Sequence, residues 1–285
     1  MMKCLVFLIL LAMISPAATY SQGLQITDPI RFLALGDSYT IGQSVPVNHR
    51  WPVQLMDSLE TRGYTVDTLR IIATTGWRTD NLLNAIRSQD LKDENYNLVS
   101  LLIGVNNQYQ GRPFSQYTNE FPILLDSAIS YAGGDPSRVF VVSIPDYVYT
   151  PFGQQSGDPG QISMELDQYN AFNQQIAADY GVTYFNITPI SRLGIQHPEY
   201  VANDGLHPSG IQYTEWVQLM LELIDEQATG VYLPKSEALN VNIFPNPAWD
   251  EITLEFPLEK TTGSFRIQLY AADGMLILER TINRS

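Results

Sequence analysis

The chain has 285 residues, 45% of them hydrophobic and 16% charged, and a formal net charge of -14. That length and apolar content suit one medium domain with a small appendage and argue against disorder. The acidic balance argues against nucleic acid and anionic membrane as partners, since both attract a basic surface.

Residues Met1 to Gln22 read as a secretory signal. Lys3 gives the positive start, Cys4 to Ile14 an apolar run too short to span a bilayer, and Ser15 to Ser21 a small-residue exit. Cleavage is expected near Ser21 or Gln22, an uncleaved anchor being the other reading of the run. Cys4, the one cysteine of the chain, lies inside this segment and too early in it for a lipoprotein cysteine. The mature protein is therefore expected to hold neither a disulfide nor a thiol nucleophile, which excludes cysteine catalysis.

From Ile30 onward, short apolar runs of β type alternate with amphipathic stretches, the order of a parallel sheet covered by helices on both faces. The predicted strands are Ile30–Leu35, Val66–Ala73, Leu98–Ile103, Val139–Ile144 and Val182–Phe185. Helical spacing covers Pro52–Arg62, Arg78–Arg87, Ser115–Tyr131 and Glu165–Tyr180, and Gly210–Glu226 closes the layer. A sheet of this kind places its ligand outside the carboxyl ends of its strands. The main domain is expected over residues 28–230, followed by a linker at 231–240.

Residues 241–285 change character. Pro234, Pro245 and Pro247 lead into the alternating runs Glu251–Phe256 and Phe265–Tyr270, and Met275–Glu279 follows an Asp273-Gly274 turn. The pattern predicts a small antiparallel all-β unit.

Three short stretches border the main-domain elements: Gly36-Asp37-Ser38, Gly104-Val105-Asn106-Asn107 and Asp204-Gly205-Leu206-His207. A serine, a histidine with an acid three residues before it and an asparagine amide are the parts that acyl transfer needs. Taken alone, Gly-Asp-Ser is also an ordinary turn and helix-cap sequence. It lacks the second glycine of a G-x-S-x-G elbow, which disfavours an α/β-hydrolase. The histidines shift the balance. Only His49, His197 and His207 exist, and only His207 has an acid, Asp204, spaced to orient its ring toward a serine. His49, beside Trp51 at a predicted helix start, reads as structural, and His197, before Pro198, as a surface loop residue.

An oxyanion hole has three candidate donors: the Asn106 amide past Leu98–Ile103, the N–H of Gly76 past Val66–Ala73, and the N–H of Ser38 itself. Gly76 reads equally as a turn glycine, and Asn106-Asn107 as a strand-end turn. Trp77, Tyr109 and the loop Tyr147–Phe152 flank the same edge, where they would stack on a sugar, hold an acyl chain, or simply pack. No His/Cys cluster, phosphate loop or dinucleotide fingerprint occurs, so no cofactor and no metal are implied.

With these residues in family order, the chain resembles the SGNH, or GDSL-type, hydrolase family over roughly Ile30 to Glu226. The resemblance implies a three-layer α/β sandwich on a central parallel five-stranded sheet of flavodoxin-like kind. It also implies a serine esterase that works through an acyl-serine intermediate on a small-molecule or glycan ester; the expected export and the aromatic flanks lean toward deacetylating a glycan, with a lipid ester or thioester as the alternatives. Ser38 would be the nucleophile, His207 the base and Asp204 its orienting acid, with Ser38, Gly76 and Asn106 forming the oxyanion hole. One departure stands out: the family's third block commonly ends in aspartate, where this chain has Asn107. A non-catalytic glycan-binding surface protein on the same fold is the reading from a different class.

Asn242-Ile243-Phe244-Pro245-Asn246-Pro247-Ala248, followed by Ile252-Thr253-Leu254, resembles the start of a type IX secretion sorting domain of the Bacteroidetes. That resemblance implies secretion machinery as a partner and a secreted or cell-surface location reached through the periplasm. The match covers only the beginning of such a domain, so it reads as incomplete; a carbohydrate-binding or stabilising β module is the other reading.

Overall fold

The structure, a computed structural model, describes residues 23–228 and the strands Asn242–Phe244, Thr253–Glu255, Gly263–Tyr270 and Leu276–Arg284. The chain divides into two compact units, residues 1–229 and 230–285. The expected signal segment, the linker and the Asp273-Gly274 turn lie outside the described residues, as does the sorting-like motif from Pro245 to Ile252.

The first unit is built on a five-stranded, all-parallel sheet: β1 (Ile30–Gly36), β2 (Val66–Ala73), β3 (Leu98–Leu102), β4 (Val139–Val142) and β5 (Thr183–Phe185), in the order β2-β1-β3-β4-β5. Strands covered on both faces need apolar residues at successive positions. Accordingly Leu98–Leu102 and Val139–Val142 are buried at every residue. Between the strands run α2 (Trp51–Thr61), α3 (Thr79–Arg87), α5 (Phe114–Tyr131) and α6 (Pro159–Asp179), with α8 (Gly210–Ala228) last. Helices α2 and α8 pack together, and α5 packs against both α3 and α6, so each face of the sheet has its own helical layer. Three single turns of helix, α1 (Ser38–Ile41), α4 (Val105–Tyr109) and α7 (Thr188–Ser191), sit just past strand ends.

Aromatic packing fixes the layers. Phe32 of β1 stacks on Phe140 of β4 at 5.9 Å and meets Trp51 of α2 at 6.2 Å, while Phe140 meets Phe185 edge-on at 5.3 Å. A second cluster joins α5 to α6, with Tyr117 at 4.6 Å from Tyr169 and 5.2 Å from Phe121. Burying each such ring is worth roughly 1.5–3 kcal/mol.

Two element ends differ from the sequence expectation for identifiable reasons. Helix α6 begins at Pro159, six residues before the predicted Glu165, because the Asp158 side chain caps it by accepting from Gln161 N at 3.2 Å and Pro159 occupies the first turn. Before Leu166 the apolar period of α6 is carried by Ile162 alone, behind a Pro159-Gly160 pair that reads as a turn. Strand β4 stops at Val142 and not at Ile144. Ile144 turns to a side chain in place of a strand: its N–H donates to Asn170 Oδ1 at 2.7 Å, and its carbonyl accepts from Asn170 Nδ2 at 2.9 Å.

In the second unit, Asn242–Phe244 (β6) pairs antiparallel with Thr253–Glu255 (β7), and Gly263–Tyr270 (β8) with Leu276–Arg284 (β9).

Candidate active site

The strand order reverses direction at β1, which lies between β2 and β3. Register aligns Gly36 with Ala73 on one side and Leu102 on the other, so three strands end level. Adjacent strands lie about 4.8 Å apart. Ser38, Gly76 and Asn106 follow those three ends by two, three and four residues, so three separate stretches of sequence converge on the crevice where sheets of this topology bind ligands.

Gly36 makes the first turn possible. A Cβ there would lie 2.1 Å from Thr40 Oγ1 and 2.5 Å from the Leu102 carbonyl, so only glycine lets the chain leave β1 and enter α1 at this angle. Asp37 then caps α1, its Oδ1 accepting from Tyr39 N at 3.0 Å. Asp37 is fully buried, and its Oδ2 meets no hydrogen-bond donor among the described residues. Burial pushes its carboxyl up to about 7, against N–H groups of Tyr39, Asp37 and Gly104 that hold it down. Ser38 is the first helical residue and is buried.

His207 sits on a loop closed by an antiparallel bridge between Val201 and Pro208, with Ala202 N donating to His207 O at 2.8 Å. Asp204 Oδ2 lies 2.7 Å from His207 Nδ1, and Asp204 Oδ1 accepts the backbone N–H of both Leu206 and His207 at 2.9 Å. Partial burial raises the Asp204 carboxyl. It is outweighed by hydrogen bonds from Ser44, His207 and Leu206, which together bring it down to about 2. An ionised carboxylate only accepts, so Nδ1 carries the imidazole proton and Nε2 is left as an acceptor. The Tyr39 ring packs 5.8 Å from the His207 ring. Ser38 and His207 are not hydrogen-bonded to each other in this structure; such bonds often form only with substrate in place.

Asn106 is buried on α4, and its Nδ2 donates to the Trp77 carbonyl at 3.0 Å. That bond fixes the amide plane and leaves a second N–H on the same nitrogen. Gly76 takes φ +81 with open space around its missing Cβ, and its carbonyl accepts from Gln110 Nε2 at 2.9 Å. The backbone N–H groups of Gly76 and Ser38 meet no acceptor among the described residues. Asn107 is satisfied at both ends of its amide: Oδ1 accepts from Thr79 N at 3.0 Å, and Nδ2 donates to Thr79 Oγ1 at 2.7 Å. Thr79 Oγ1 in turn donates to Glu120.

Of the flanking aromatics, Trp77 is half-buried against the core, whereas Tyr109 is 53% exposed. Tyr109 meets Tyr147 edge-on at 5.9 Å and Phe152 at 6.2 Å, and Phe152 N donates to Gly205 O at 2.9 Å, tying this aromatic group to the histidine loop. His197 is exposed, bonded to Glu199 and stacked on Tyr200; His49 packs on Gly210. Sequence reasoning missed Ser44 and Tyr39. The adjacency of Tyr39 to Ser38 was a usable signal, whereas nothing local marks Ser44, whose partner is 160 positions away.

A family model described as GDSL-like Lipase/Acylhydrolase family matches residues 34–214. No curated protein is similar enough to match the chain. Among solved structures, a catalytic mutant of Axe2, an acetylxylan esterase from Geobacillus stearothermophilus, is 16% identical, with 70% of this chain and 96% of that one aligned at a TM-score of 0.54. The psychrotrophic esterase EstA from Pseudoalteromonas sp., inhibited by monoethylphosphonate, is 15% identical over 70% and 98%, with a TM-score of 0.52. A GDSL-like lipase from Bacteroides thetaiotaomicron is 19% identical over 70% and 92%, with a TM-score of 0.50. At such identities the likeness establishes the shared fold.

Proposed function

The chain belongs to the GDSL-like lipase/acylhydrolase family and is an ester-bond hydrolase, and from that premise we propose that it is an exported serine esterase that removes acyl groups, acetyl above all, from a glycan. The observation that carries the catalytic part is the His207–Asp204 pair at 2.7 Å, on a loop whose ring packs against the residue following Ser38.

In this reading Ser38 Oγ attacks the ester carbonyl carbon while its proton passes to His207 Nε2. The carbonyl electron pair moves onto oxygen, which takes hydrogen bonds from the N–H groups of Ser38 and Gly76 and from Asn106 Nδ2. Collapse of this intermediate expels the alcohol, which leaves with the proton from His207. A water then enters, gives a proton to His207 as it attacks the acyl-serine, and the acid departs as the proton returns to Ser38. Asp204, held near pKa 2, stays ionised throughout and steadies the imidazolium.

The substrate class rests on the exposed Tyr109 ring, backed by Tyr147 and Phe152, which offers a face for a sugar. The acetylxylan esterase activity named for one structural neighbour supports the same class. Export is supported by the apolar run Cys4 to Ile14, and surface display by the Asn242-to-Ala248 segment. Hydrolysis of p-nitrophenyl acetate, butyrate and octanoate beside acetylated xylan tests the reading. Preference for acetate together with release of acetate from xylan supports it, and preference for octanoate with no xylan turnover contradicts the glycan assignment.

A further inference from the structure

The turn after α1 carries residues that reach two other loops of the site. Gly42 N and Gln43 N both donate to the carbonyl of Ser38, the second at 3.0 Å, so the turn is anchored on the nucleophile's own residue. On one side the Gln43 side chain accepts from Thr75 Oγ1 at 2.6 Å, next to Gly76. On the other, Ser44 Oγ donates to Asp204 Oδ2 at 2.5 Å, the same oxygen that faces His207 Nδ1. Ser44 also takes φ +67, left-handed backbone that a residue with a Cβ adopts against its preference. Nothing in the turn's own hydrogen bonding requires a serine there, and glycine would fit the backbone better.

We propose that Ser44 is a positioning residue for the acid of the site: its hydroxyl holds the Asp204 carboxylate in the plane where it orients His207, and thereby locks the histidine loop to the turn that Ser38 anchors. This rests on the hydrolase reading above. The backbone N–H groups of Leu206 and His207 hold Oδ1, but with imidazole as its one donor Oδ2 could still turn about that anchor. With a second donor from a turn fixed to Ser38, it keeps a set distance from the nucleophile. The chain of contacts runs Ser44 to Asp204 to His207, so the effect of Ser44 should pass through Asp204.

The test uses the rate at which a fluorophosphonate labels Ser38, read by intact mass, together with kcat and KM on p-nitrophenyl acetate. Neither readout needs the natural substrate. Ser44→Gly removes the hydroxyl and suits the backbone, so its melting temperature should stay at or above the native one. Ser44→Ala reads the same loss with Cβ kept. Loss of a hydrogen bond to a charged group at this exposed site should slow labelling and kcat about 10-fold, with KM changed less than about 2-fold. In an Asp204→Asn background, the same Ser44→Gly change should alter the rate less than about 2-fold, because its route of action is already gone. Labelling at the native rate in Ser44→Gly, or an equal loss in both backgrounds, would overturn the proposal and leave the hydrolase reading standing. A folded native protein whose Ser38 is not labelled would overturn the hydrolase reading, and this inference with it.

Discussion

Asp204 accepts from His207 twice, at the backbone N–H through Oδ1 and at the imidazole through Oδ2, so one carboxylate sets both the turn and the ring of the residue three positions on. Asp204→Asn keeps an oxygen for the backbone bond but turns an amide toward Nδ1. The ring would lose its fixed tautomer while the loop keeps its shape. A loss of about 100-fold in kcat is expected, short of the complete loss in Ser38→Ala, since part of the rate comes from the oxyanion donors and binding. Steady-state kinetics of the two variants side by side check this, and a fully active Asp204→Asn would contradict the role.

Asn107 stands where the family commonly has aspartate, and the structure supplies a physical reason. Its amide donates to Thr79 Oγ1, whose proton goes to Glu120, so the three side chains form a directed chain of bonds at the start of α3. Asn107→Asp would place two carboxylates on one hydroxyl that has one proton. A cost of roughly 1–3 kcal/mol is expected, read as a lower melting temperature at neutral pH. Adding Glu120→Gln supplies a donor and should recover most of the loss; no recovery would mean the chain runs otherwise.

Asp37 gives a stability that depends on pH. Its folded carboxyl is raised from 3.8 to about 7 by burial, so between those values the folded state holds a proton that the unfolded state releases. Its contribution is therefore complete below pH 3.8 and is lost as pH rises through 7. At about 1.4 kcal/mol per unit, the swing is on the order of 4 kcal/mol. Asp37→Asn keeps an oxygen for the Tyr39 N–H and cannot ionise. The native melting temperature should fall between pH 5 and 8 more steeply than that of Asp37→Asn; parallel curves would contradict the burial account.

Tyr109 separates substrate recognition from chemistry. It is the exposed last residue of α4, the helix that carries Asn106, and bonds to nothing in the catalytic set, so Tyr109→Ala should leave p-nitrophenyl acetate turnover within about 2-fold. On acetylated xylan, loss of a stacking face should raise KM about 10-fold. Equal effects on both substrates would show that Tyr109 supports α4 and does not touch a sugar.

Much of this arrangement was legible in the sequence because buried parallel strands are written as unbroken apolar runs. Leu98–Leu102, buried throughout, stops one residue short of the predicted end, while the edge strand Val66–Ala73 has the predicted bounds although Asp67 and Arg70 interrupt its apolar run and only its last two residues are buried. The three motifs were legible because strand ends and glycine turns bring their functional residues to one edge. What escaped detection depends on contacts between distant positions. Asn170 takes over the backbone of Ile144, and Ser44 reaches Asp204, through polar side chains whose local sequence is ordinary loop or helix surface. The start of α6 escaped because Pro159-Gly160 reads as a turn and Ile162 is the one residue before Leu166 that packs on the core.

The central claim is that Ser38 carries an acyl group. Mass spectrometry of the protein quenched during p-nitrophenyl acetate turnover, beside Ser38→Ala and the same trial with acetylated xylan, tests it most directly. The account predicts a 42 Da acetyl increment, roughly the mass of C2H2O, confined to the Ser38 peptide and absent with turnover from Ser38→Ala. Turnover that persists in Ser38→Ala, or acetyl found on another residue, would contradict it.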